Sequence, residues 1–252
     1  MRSLFSYGIE KIKSEPKIIA YSAYLFILTA LLDLILFIPG QLLSDNITAD
    51  ENAFAVRCAL CGIMTVSYAL GTVLEISFFY IIFNGEYKAK NMLCFLHPKY
   101  IQYNTALIFA FILPIRFVDC FVQGKFFMRD LPEISFFHEN NVIFVLFMIL
   151  KLVLGLILVL AVCFKAIYKD DTFSITLSRI RKFLKNNAAL FIKFQISYEI
   201  IRTAAFLIMY IPLRRLNDIS DIMYFILGNT GYGTNILFIP LYFICLNKMI
   251  VS

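Results

Sequence analysis

Charged side chains lie inside runs that are otherwise apolar, among them Asp33, Arg57, Glu75, Arg116, Asp119, Lys151, Lys193, Glu199 and Arg202. A charge in such surroundings is costly, and it persists where it pairs, reaches water or does work. Two pairs have i, i+3 spacing on what should be one helix, Arg116–Asp119 and Glu199–Arg202, so opposite charges can meet on one face. Asp33 and Lys151 come from different runs at similar depth and could pair across a bundle. Lys193 and Arg57 lie near the ends of their runs, where a long side chain snorkels to the interface. Six of the others are the candidates for an intramembrane polar site: Asp33, Arg116, Asp119, Lys151, Glu199 and Arg202. Two uses stay open. They could line a water-filled cavity that takes a polar or charged solute, or they could be ion pairs that fix helix rotation.

Other motifs carry less. "RCALCG" (57–62) holds a C-x-x-C, with Cys120 on the same side, and thiol exchange is the chemistry that spacing allows. No quinone-site motif accompanies it, and the six cysteines show neither a disulfide framework nor zinc spacing. "LGNTGYGTN" (227–235) interrupts an apolar run with three glycines, as a broken helix would, either to bind a solute or to pack closely. A potassium-filter reading lacks the pore helix before it and a full span after it. There is no P-loop, no G-x-S-x-G and no H-E-x-x-H. We therefore expect no catalytic residue, no metal and no cofactor.

The elements that must position these residues follow from composition. Hydrophobic residues make up 61% and charged residues 16%, with mean hydropathy +0.80. Soluble domains are about 45–50% apolar and about 25% charged, so the excess needs a second apolar solvent, which is lipid. Six runs are long enough to cross it: 18–39, 54–83, 104–123, 142–167, 188–213 and 222–246. They lack the period-two alternation of barrel strands, so the expected fold is all-α: a polytopic transmembrane bundle of six spans forming one domain, 1–252. The first run begins at Lys17 with no cleavage site after it, and reads as a retained span. Thirteen Lys and Arg fall in the tail, the connections and the C-terminus on one side, against four on the other. The positive-inside rule then puts both termini in the cytoplasm of a cell-membrane protein. The net charge of +6 is spread in short tracts between apolar runs, so nucleic acid is not an expected partner; membrane lipids are, and a partner subunit is possible.

Before the fifth run, Phe173, Leu177, Ile180 and Leu184 step by four, three and four, and Arg179, Arg181, Lys182 and Lys185 occupy the remaining circumference. This predicts a basic amphipathic helix over 171–186, capped by Asp171 or Thr172, lying in the interface. Its apolar face would meet acyl chains and its four basic groups lipid headgroups; packing against the protein's own bundle is the alternative. "PKYIQYNTALIF" (98–109) aligns without a gap to "RKFLKNNAALFI" (181–192), through Lys99/Lys182, Asn104/Asn187, Ala106/Ala189 and Leu107/Leu190. An internal repeat, or two helix entrances of similar composition, would explain it.

This layout, with "TLSRIRKFLKNNAALF" (176–191) leading into span five and a last span ending "LYFICLNKMI" (241–250), resembles bacterial inner-membrane families related to the membrane domain of glycerophosphodiester phosphodiesterases, including stand-alone YciC-like proteins. The resemblance implies six spans and no phosphodiesterase activity, since the catalytic domain of such enzymes is a separate soluble unit. "IAYSAYLFILTA" (19–30) is similar, more weakly, to openings of substrate-binding subunits of vitamin importers. The leading expectation is a non-catalytic membrane protein that binds or helps move a small solute or lipid. The second is a structural or partner-binding protein that organises anionic lipid or another subunit. The third is a membrane thiol redox enzyme using Cys58 and Cys61.

Overall fold

Apart from a two-residue antiparallel pairing of Lys125–Phe126 with Arg129–Asp130, the described elements are helical. The computed structural model describes residues 2–45, 53–126, 129–130, 141–214 and 235–251. Helix α1 covers Arg2–Ser14 and carries Lys11 and Lys13 in its last turn, where cations suit the helix dipole. Pro16 cannot continue that helix, and α2 starts immediately after it, over Lys17–Asp45. Helix α3 follows over Ala53–Asn84. Next come 3₁₀ turns at Ala89–Leu96 and Pro98–Tyr100, and then a mixed helix from Ile101 to Val122.

Among the described residues, four helices are long and apolar enough to cross a membrane: Lys17–Gly40, Phe54–Asn84, Pro98–Val122 and Asn141–Ile167, the last being α4. The protein is thus a helical membrane protein. The bundle has two ends. Lys17, Asn84, Pro98 and Ile167 mark one, rich in Lys and Arg and called the basic end below. Gly40, Phe54, Val122 and Asn141 mark the far end.

Helix α3 is the centre of the bundle: Ile76, Phe78, Phe79 and Ile81 are fully buried. Three of its hydroxyls are satisfied within the helix, Thr65 donating to the Cys61 carbonyl, Thr72 to Tyr68 and Ser77 to Val73, so these are not stranded in an apolar surround. The outward rows face what must be lipid, with Ile27, Leu31, Leu34, Ile35 and Ile38 exposed on α2 and Val145, Ile149, Leu152 and Val153 on α4.

The third span departs from regular α geometry twice. Pro114 has no N–H to give the carbonyl four residues back, and the turn before it widens to a π-helix over Ile108–Ile112. A second π turn, Val118–Val122, contains Asp119 and Cys120.

The C-terminal half corrects the sequence reading. The expected surface helix (171–186) and fifth span (188–213) are one uninterrupted helix, α5, over Phe173–Arg214. Ile180 and Phe183 are buried, and the Phe173 ring meets Tyr103 and Phe111. That face therefore packs on the bundle rather than on acyl chains. The window 188–205 holds Lys193, Glu199 and Arg202, and α5 is not one of the four helices above. The last described helix, α6, covers Asn235–Val251, shorter than a span; the first half of the expected sixth run, the glycine motif up to Thr234 and His138 lie outside the described residues.

Helix α6 runs along α5 and α3 through aromatic contacts. Phe243 stacks on Phe79 with centroids 3.5 Å apart, and Tyr242 meets Tyr198 at 4.5 Å while its hydroxyl donates to Gln195 at 2.6 Å. Helix α1 closes over α6, where the Cys245 thiol donates to the Leu4 carbonyl at 3.2 Å. The two similar stretches adopt different backbones: 98–109 passes from a 3₁₀ turn through α to π geometry, whereas 181–192 lies inside one α-helix.

Candidate functional site

The six candidate residues separate into three places. In the far half, Asp119 is held between two cations. Arg116 meets its carboxylate at 2.8 Å, as the i, i+3 spacing predicts, and Lys151 reaches it across from α4. The Lys151 ammonium also donates to the Gln123 side-chain oxygen at 2.7 Å, and the Arg116 guanidinium lies 3.9 Å from the Tyr68 ring. The expected Asp33–Lys151 pair does not form: Lys151 is taken by Asp119, and Asp33 on the outer side of α2 accepts from Ser67 on α3. The Glu199–Arg202 pair does form, at 2.8 Å, but on a half-exposed face of α5 and apart from the other two.

Arg57 also differs from expectation. Rather than snorkelling, it is 4% exposed and donates to the Cys120 carbonyl at 2.8 Å, inside the π turn that carries Asp119. The π turn and the cation cluster thus support each other: a widened turn frees a carbonyl, and Arg57 takes it. Of the C-x-x-C pair, Cys61 is buried with Met64 and Cys120, whose thiol lies 3.3 Å from the Met64 sulfur, while Cys58 faces outward. All six cysteines are free thiols.

The basic end holds a second cluster that sequence reasoning missed. Lys165 on α4 is 2% exposed. Its ammonium donates to the Asp171 carbonyl at 2.6 Å and lies 4.4 Å from the Tyr103 ring centroid and 5.1 Å from that of Tyr100. Lys99 lies 4.7 Å from the same Tyr100 ring and only 3.7 Å from the exposed carboxylate of Asp170. Lys169 lies over the Tyr80 ring at 4.4 Å. Arg179 lies over Tyr168 at 4.0 Å and is fixed by the Asp171 carboxylate at 2.5 Å, which raises its pKa further. The signal that could have found this cluster is the aromatic density: Tyr80, Tyr100, Tyr103 and Tyr168 all fall within a few residues of the predicted span ends, Tyr100 and Tyr168 next to a lysine.

Of the four lipid-contact candidates, Arg181, Lys182 and Lys185 are exposed, and Arg179 is half-buried against Asp171. Nearer the N-terminus, Lys11 and the Tyr87 hydroxyl hold the Glu15 carboxyl below the usual carboxylate range, while burial and Glu15 push the Tyr87 phenol up. Among the described residues, no group of three or more His, Cys, Asp and Glu side chains could hold a metal.

These features define a class: an α-helical membrane protein with one closed ion cluster inside it and a basic, aromatic-lined end. No family model, no curated protein and no solved structure matches the chain.

Proposed function

We propose that this is a non-catalytic, multi-pass membrane protein that holds anionic lipid at its basic end, and that this end faces the cytoplasm. The observation carrying the reading is the fixed outward row Arg181, Lys182 and Lys185. The opposite face of the same helix, Thr176, Ile180 and Phe183, is buried in the bundle, so the basic groups are aimed outward where the spans end. A rigid basic row at headgroup level attracts anionic lipid by about 1 kcal/mol per Lys or Arg. The intramembrane charges fit a structural part, since they are spent in separate pairs rather than around one cavity. The test is vesicle partition of lipid probes to the reconstituted protein. An Arg181→Gln/Lys182→Gln/Lys185→Gln variant should lose most of its salt-sensitive enrichment of phosphatidylglycerol over phosphatidylcholine, and equal enrichment in the variant would refute the reading.

A second reading has one observation in its favour. Arg116 Nε is buried without a hydrogen-bond partner beside a carboxylate already shared by two cations. An anionic solute entering from the far side would meet it. Cysteine-accessibility labelling at position 116, in a background stripped of native thiols, decides whether water reaches that depth. The six-span layout, and with it the likeness to the YciC-like families, is part of the same proposal, and the same labelling applied to both termini tests it.

A further inference from the structure

Four buried side-chain polar atoms among the described residues make no hydrogen bond, and three of them gather at the basic end: Tyr100 Oη, Asn104 Oδ1 and Thr176 Oγ1. Native proteins rarely strand such groups, because each costs about 1–3 kcal/mol when left unsatisfied. They belong to two segments that the fold brings together. Tyr100 and Asn104 are one turn apart at the start of the third span. Thr176 is one turn beyond Phe173, whose ring packs against both Tyr103 and Phe111. Lys165 sits among them, with its ammonium between the Tyr100 and Tyr103 rings.

The charges around this spot do not balance. Among the described residues, Lys99, Lys165, Lys169 and Arg179 face only Asp170 and Asp171. No carboxylate among the described residues lies within ion-pair distance of Lys165 or Lys169; Lys165 spends one hydrogen on a backbone carbonyl, and Asp170 holds Lys99 loosely from an exposed position. A buried ammonium without a counter-ion is expensive. An anion with several acceptor oxygens would supply that counter-charge and accept from the Tyr100 and Thr176 hydroxyls, which have the Lys99 and Tyr103 side chains beside them but no well-formed acceptor.

We propose that Lys99, Lys165, Lys169, Tyr100 and Thr176 form a site for a phosphate group, at the depth of a lipid headgroup. The proposal rests on the lipid-holding reading above but places one specific phosphate inside the basic end, distinct from the diffuse attraction of the outer row. The phosphate arrives on an anionic phospholipid or as the free ion.

The experiment is native mass spectrometry of the full chain, delipidated in detergent and then titrated with phosphatidylglycerol, phosphatidylcholine or inorganic phosphate. Wild type is expected to keep one phosphatidylglycerol adduct at high salt, where exposed charges are screened. Lys165→Met should weaken that adduct at least tenfold, and Lys99→Gln/Lys169→Gln, which changes groups near the surface, should do so by a similar factor without relying on a buried substitution. Arg181→Gln/Lys182→Gln/Lys185→Gln should reduce loose, salt-sensitive lipid while keeping the single adduct. One phosphate ion bound by wild type, lost in both lysine variants and displaced by phosphatidylglycerol, assigns the source to lipid; phosphate retained in the presence of phosphatidylglycerol assigns it to the free ion, and both uphold the site. An adduct unchanged in both lysine variants overturns the site and leaves the outer-row reading standing. Equal retention of phosphatidylcholine and phosphatidylglycerol by wild type overturns both.

Discussion

Two buried cation clusters, at opposite ends of one bundle, handle the same difficulty in different ways. Around Asp119 the chain supplies its own counter-charge: Arg116 and Lys151 converge on one carboxylate, Gln123 takes a second Lys151 hydrogen, and Arg57 is spent on the Cys120 carbonyl. Around Lys165 it supplies aromatic faces and one carbonyl, leaves two hydroxyls without partners and holds more cations than anions. Aromatic faces stabilise an ammonium without neutralising it. The first arrangement fixes how helices are rotated against each other. The second keeps a charge in place and leaves its neutralisation to something else. Burial alone does not separate the two roles; the tally of counter-ions and stranded hydroxyls does.

The contrast can be broken most directly at Asp119. Asp119→Asn leaves Arg116 and Lys151 inside the bundle without their anion, and should cost about 3–5 kcal/mol of stability in a detergent melt. Wild-type melting would remove the closed cluster from the comparison. Glu199→Gln should come next, at about 2.5–3.5 kcal/mol if Arg202 is left facing lipid near mid-depth. The double change Glu199→Gln/Arg202→Gln should then be milder than the single one, and the reverse order would place this pair in water. At the α1–α6 contact, a Cβ on Gly8 would come within 2.6 Å of Leu241 Cδ1 and 2.8 Å of Cys245 Sγ. Both are ends of side chains that can yield, so Gly8→Val should cost about 1–3 kcal/mol, read as faster proteolysis of α1. Lys165→Met sharpens the comparison by its small effect. In lipid-free detergent it should change stability by no more than about 1 kcal/mol, because losing an uncompensated buried charge offsets losing its contacts; a loss as large as that of Asp119→Asn would mean the two clusters are alike. Smallest is a pH effect at Glu15. Its folded pKa lies below the unfolded value near 4.3, so its contribution is present above that value and disappears as pH falls through the folded one. Amide-exchange protection of α1 should decline on acidification across that window and hold steady above pH 6.

What the sequence showed and what it hid divide along the same line. The i, i+3 pairs were legible because helical spacing alone brings Arg116 to Asp119 and Glu199 to Arg202. The partner of Lys151 was not, since depth places a residue along a helix but says nothing of which neighbour its face meets; Asp33 at similar depth went to Ser67 instead. The stripe Phe173, Leu177, Ile180, Leu184 is apolar in the sequence, yet a lipid tail and a protein interior ask for the same residues, so its target could not be read; Ile180 is buried and Leu177 is not. Lys165 escaped notice because a lysine near the end of a span usually reaches water. Here the chain turns back at 168–172, and the Asp171 carbonyl and two tyrosines hold the ammonium inside.

The clasp between the first and last described helices has a consequence for the order of manufacture. Phe5 rests on Phe194, and Leu4, Tyr7 and Gly8 rest on Cys245, Lys248 and Leu241, partners more than 180 residues further along. Helix α1 leaves the ribosome early and waits, its greasy side unoccupied, until nearly all the remaining chain has been translated and inserted. Seating it is therefore among the final steps of assembly, and a ribosome halted before codon 241 would leave that helix with nowhere to dock.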